Sequence, residues 1–85
     1  VKGRKTMRLV DRPIMVKTSG GLPAAFTWRG NTLTVAAVLE VWADTGEWWR
    51  GEPEKIFYRL TAAGGLYELY YEPSSGTWHL YKIYD

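Results

Sequence analysis

The most distinctive run in the chain is Gly46-Glu47-Trp48-Trp49-Arg50-Gly51. Adjacent tryptophans in an extended segment point to opposite sides, so both are not expected in one core. An indole left at the surface beside a guanidinium stacks on nucleic-acid bases, at about 1–3 kcal/mol per base. The same pair is enriched at protein-interface hot spots. It also closes over a core by cation–π contact. Trp28-Arg29 and Tyr58-Arg59 repeat the aromatic–basic pairing within runs that read as strands. Alternation there places the ring inside and the arginine outside. Arg29, Trp48, Trp49, Arg50 and Arg59 are therefore the candidate residues for binding nucleic acid or a partner. Their arginines share one face if the strands bearing Arg29 and Arg59 are neighbours.

Catalytic chemistry is poorly provisioned. The chain has one His and no Cys. His79 falls in a strand-like run, and no Ser or Asp motif beside it suggests a triad. Glu68 and Glu72 do not stand at metal-ligand spacing from it. Glu52 and Glu54 flank Pro53 in a loop-like stretch, where solvated acids are the common case. Gly64-Gly65 lacks the Lys-Ser/Thr and the helix of a phosphate loop. A non-enzymatic domain is expected, with no catalytic residue, metal site or cofactor.

The net charge of +2 conceals an asymmetry. Residues 1–17 carry Lys2, Arg4, Lys5, Arg8, Arg12 and Lys17 against Asp11 alone, a balance of +5. Residues 18–85 balance at −3. A basic arm or linker over residues 1–12, able to attract phosphates, is expected ahead of a mildly acidic domain over residues 13–85. Absence of Cys suits a reducing cytoplasm. No apolar run reaches the roughly 18 residues of a membrane span, so no membrane partner is expected.

Gly and Pro punctuate the sequence at short intervals, with β-branched and aromatic runs between them. That pattern predicts an all-β meander of about six antiparallel strands, near residues 13–18, 24–29, 32–43, 56–61, 66–72 and 77–84. Gly30-Asn31 reads as a two-residue hairpin loop. The alternation of the third run stumbles at Ala36-Ala37, where a bulge is expected. A helix over residues 35–42 is the alternative reading of that run. The last run is apolar on both faces, which suits a central or barrel-closing strand. Six strands in a flat sheet leave two open edges, so coiling into a small SH3-like or OB-like barrel is the economical arrangement. Five Trp, six Tyr and two Phe supply its core.

One set of residues resembles a known domain. It comprises Phe26-x-Trp28-Arg29-Gly30, Val38-Leu39-Glu40-x-Trp42, the Gly46 to Gly51 block, Tyr58-Arg59-Leu60, Tyr67-Glu68-Leu69-Tyr70, Trp78-x-Leu80 and Tyr84-Asp85. Together these resemble a small bacterial all-β domain of unknown function. That domain occurs alone, and a similar pattern ends the Y-family-polymerase-like subunit of mutagenesis cassettes. The resemblance covers residues 13–85. It implies a non-catalytic accessory role in DNA repair or translesion synthesis, with single-stranded or damaged DNA as ligand. The alternative is a protein-interaction module that docks a polymerase-like or recombinase partner, or a domain that homodimerises through an edge strand.

Overall fold

β-Branched and aromatic residues fill the runs between the glycines, and those runs are strands. The computed structural model describes residues 7–84, apart from the Trp48 side chain. Within them lie β1 (Met7–Ile14), β2 (Val16–Ser19), β3 (Leu22–Trp28), β4 (Asn31–Asp44), β5 (Lys55–Ala62), β6 (Gly65–Glu72) and β7 (Thr77–Tyr84). One 3-10 turn, Trp48–Arg50, joins β4 to β5. All seven strands are antiparallel, in the order β1-β7-β6-β5-β4-β3-β2. β7 is interior, as its two apolar faces suggest.

The ends of that order, β1 and β2, are consecutive in the chain with Met15 alone between them. The sheet therefore curls into a half-barrel. Two strands make the corners. At Met15 the chain leaves its pairing with β7 and takes up pairing with β3. The expected bulge near Ala36 is present: β4 pairs with β3 through Thr34, then with β5 from Val35, and its register shifts between Val35 and Ala37. A second shift follows between Val38 and Glu40. β4 is a strand throughout, which excludes the helical alternative.

The concave face holds the core of Phe26, Tyr58, Leu60, Ala62, Leu69, Leu80 and Ile83. Phe26 comes from the short β2–β3 side and meets Tyr67 edge-on at 5.3 Å. Each fully buried Leu contributes about 1.5–3 kcal/mol relative to exposure. The convex face carries a second aromatic cluster. Trp42 stacks on Phe57 at 5.4 Å, Tyr70 stacks on His79 at 4.6 Å, and Tyr81 meets both Phe57 and Tyr70 edge-on.

Three expectations change. Among the described residues the strands number seven, because the first expected strand divides at Met15 and starts earlier. Residues 7–12, read as part of an arm, belong to β1, and Val10 packs against the core. Their density of charge had hidden a strand whose inner positions are Arg8, Val10, Arg12 and Ile14. Residues 1–6 of that arm lie outside the described residues. The β3–β4 loop is Arg29-Gly30, not Gly30-Asn31: their φ angles are +52° and +79°, and Asn31 already pairs with Trp28. Glycine is favoured at the second position of such a loop, which leaves Arg29 in the first.

The β5–β6 loop has the same geometry, with Ala63 at φ +50° and Gly64 at +77°. An L-residue with a Cβ is strained there by about 1–2 kcal/mol. Ala63→Gly is expected to raise stability by up to about 1 kcal/mol, the relief being partly offset by a freer unfolded chain. A urea midpoint that rises with unchanged slope is the expected result, and a lower midpoint counts against the left-handed loop.

Candidate functional site

At Met15 the two halves of one long strand diverge, β1 toward β7 and β2 toward β3. Thr27 N–H donates to Met15 C=O at 3.0 Å across the joint. Beyond it β3 runs on through Trp28 beside β1, and among the described residues no ladder joins the two. A cleft of about 450 Å³ opens there, lined by Arg8, Leu9, Val10, Arg12, Trp28 and Arg29.

The strand period of two decides what faces it. Arg8 stands opposite Ile83 and Arg12 opposite Leu80, both core-facing partners on β7. Asp11 points the other way. It occupies a bulge at φ +50°, and its Oδ1 accepts the Tyr70 hydroxyl at 2.6 Å on the convex face. The acid of β1 is thereby removed from the cleft, and no carboxylate is among its described lining residues. Arg29 enters from the opposite wall, on the left-handed loop, with its guanidinium carbon 5.4 Å from the Trp28 ring centroid. A concave site with guanidinium groups from two walls attracts phosphate.

The other candidates lie elsewhere. Arg59 is on the convex face, where its Nε and Nη2 donate to Glu68 Oε2 at 3.0 and 2.9 Å. Its Nη1 donates to Glu40 Oε1, and the guanidinium lies over the Trp42 ring. Tyr84 hydroxyl donates to the same Glu68 oxygen at 2.7 Å. Glu68 is only 2% exposed, so its charge is solvated by these groups rather than by water. The hydrogen bond to Glu68 holds the Arg59 pKa above its ordinary value. Arg59 is thus engaged within the fold.

Trp49 and Arg50 stand on the 3-10 turn. Asp44 Oδ1 accepts Gly46 N–H at 2.8 Å, and Glu52 Oε1 accepts Glu47 N–H at 2.8 Å, which fixes both ends of the turn. Trp49 is 65% exposed, and Arg50 reaches Glu47 at 3.7 Å. The Trp48 side chain lies outside the described residues. Arg29 precedes β4 and this turn follows it, so they stand at opposite ends of that strand. The strands bearing Arg29 and Arg59 are not neighbours either, because β4 runs between them. The condition under which Arg29, Arg50 and Arg59 would share one face is not met. Arg29 is joined instead by Arg8 and Arg12, which the sequence reading assigned to an arm.

A family model for a domain of unknown function, DUF6504, matches residues 4–85. The chain belongs to the DUF6504 family. The match begins ahead of β1, so both walls of the cleft are part of this DUF6504 domain, and its extent exceeds the 13–85 of the sequence resemblance. No curated protein and no solved structure matches the chain. Among the described residues no helix is long and apolar enough to cross a membrane, and no cluster of metal-binding side chains is found. His79 Nδ1 is buried without a hydrogen-bond partner among them.

The tyrosines give this DUF6504 domain an alkaline signature. Burial raises the Tyr58 and Tyr70 phenols above their ordinary value, the latter helped by Asp11; the hydrogen bond to Glu68 raises Tyr84. A phenol whose pKa is raised by folding contributes stability that is complete below its unfolded value of 10.0 and is lost as pH climbs through the folded one. Stability is expected to fall above about pH 10. Tyr84→Phe should make that fall shallower. Urea titrations at successive pH values measure it, and ordinary midpoints for all three phenols would exclude the network.

Proposed function

We propose that this domain is a non-catalytic accessory module that binds single-stranded nucleic acid in the β1–β3 cleft, in the setting of DNA repair or translesion synthesis. Arg12 and Arg29 engage phosphates from the two walls, and a base stacks against the Trp28–Arg29 pair. The observation that carries the reading is the convergence of arginines and an indole from two separate elements on one cleft. An unstacked base can reach a recessed ring, whereas a duplex keeps its bases in the stack, so a single strand suits the site. Bending at Met15 and Ala36 suits the SH3-like or OB-like barrel expected from the strand pattern, and OB-folds bind single strands on a curved sheet. The resemblance to the tail of a polymerase-like mutagenesis subunit supports the setting.

A second reading concerns Trp49. A tryptophan 65% exposed on a short fixed turn is suited to docking a polymerase-like or recombinase protein. It lies far from the cleft, so the two readings separate by mutation.

Fluorescence anisotropy with a labelled single-stranded oligonucleotide, titrated with salt, tests the first. Arg12→Ala and Arg29→Gly are each expected to weaken binding severalfold and to reduce the salt slope by about 0.7. The glycine variant removes the charge without adding strain at φ +52°. Trp49→Ala should leave oligonucleotide binding unchanged. Absence of binding at low salt, or full binding by the Arg12→Ala, Arg29→Gly double variant, overturns the proposal.

A further inference from the structure

β4 changes neighbour along its length, from β3 over its first residues to β5 thereafter. Its ladder with β3 ends at Thr34, opposite Ala25. Continuing it would bring the chain to Pro23, which is buried and has no N–H to offer. From Val35 to Asp44 the strand pairs with β5 on one side, and among the described residues nothing pairs with its other side. Residues 36–43 therefore present an open row of backbone donors and acceptors. They contain no Lys and no Pro, the residues that commonly blunt such an edge. Leu39 and Val41 are 54% and 51% exposed along it.

An open strand edge captures an extended peptide by adding it as a further strand: backbone bonds hold it, and the side chains along the edge select its sequence.

The charges specify the occupant. Glu40, Arg59, Glu68 and Lys82 are successive cross-strand partners over β4, β5, β6 and β7, with alternating sign. The row ends at the open edge on Glu40, a negative charge. A strand added there continues the alternation if it places Lys or Arg opposite Glu40. A second copy of this chain, paired antiparallel along residues 36–43, brings its own Glu40 close to the first, which is unfavourable.

We propose that the free edge of β4 binds an extended segment of a partner protein with a basic residue opposite Glu40 and apolar side chains against the exposed Leu39 and Val41. The site is independent of the nucleic-acid cleft.

An acetylated octapeptide of alternating valine and lysine, and its counterpart with glutamate for lysine, serve as probes against the isotope-labelled full chain. The lysine peptide is expected to shift the backbone amides of residues 36–43 and slow their exchange, and to bind at least tenfold more tightly than the glutamate peptide. Glu40→Gln should abolish that preference while the edge amides still respond. Arg12→Ala and Arg29→Gly should leave peptide binding unchanged, which separates this site from the cleft. Equal binding of the two peptides, no response of the edge amides, or a dimer by light scattering that protects those amides without peptide would each overturn the proposal.

Discussion

A sheet built from so few residues cannot shelter a core while it stays flat, because one of its faces must cover the other. Here the covering is done by bending two strands. The run through Met15 belongs to β7 on one side of its bend and to β3 on the other. β4 does the same at Ala36, between β3 and β5. These corners bring Phe26 over Leu60, Leu69 and Leu80. They also create the open features of the molecule. Where β1 and β3 part, a cleft remains. Where β4 leaves β3, an edge remains. Both sites argued for above are consequences of bending rather than additions to a finished fold.

The convex face is governed by one buried carboxylate. Removing Glu68 from water is costly unless its charge is met, and Arg59 and Tyr84 meet it through three hydrogen bonds to one oxygen. Loss of one partner from a buried pair typically costs about 3–5 kcal/mol, since the other charge is left uncompensated. That requirement withdraws Arg59 from any ligand. It also orders the row that ends on Glu40, so the charge at the open edge is set from the interior of the sheet outward.

Much of the β pattern was legible because its signals are local. Gly20-Gly21 and Gly64 punctuate strands of period two, and Ala36-Ala37 marks a break in alternation. Trp49 is exposed on a 3-10 turn, whereas the sequence reading took the two indoles to lie in an extended segment. What escaped reading was non-local or masked by composition. Arg8, Val10, Arg12 and Ile14 share one face of β1, so basic residues interrupt its apolar row, and four basic residues among the first eight suggested a solvated arm. The engagement of Arg59 depends on Glu68 and Glu40, which come from two other strands. The cleft depends on the curl of the sheet bringing β1 alongside β3 without pairing them, and no spacing along the chain announces that.

The two proposed sites differ in sign as well as in place. The cleft collects positive charge because strand alternation sends Asp11 to the opposite face. The edge ends on negative charge because the row from Lys82 alternates across four strands. A peptide basic enough to suit the edge is repelled by the cleft, and a nucleic-acid strand suited to the cleft is repelled by Glu40 and Asp44. Each site therefore excludes the other's ligand by simple electrostatics. On the proposed reading, that segregation lets one small domain hold a single strand and a protein segment together without competition between them. That capacity requires no catalytic group, and it would follow from geometry that the two bends already impose.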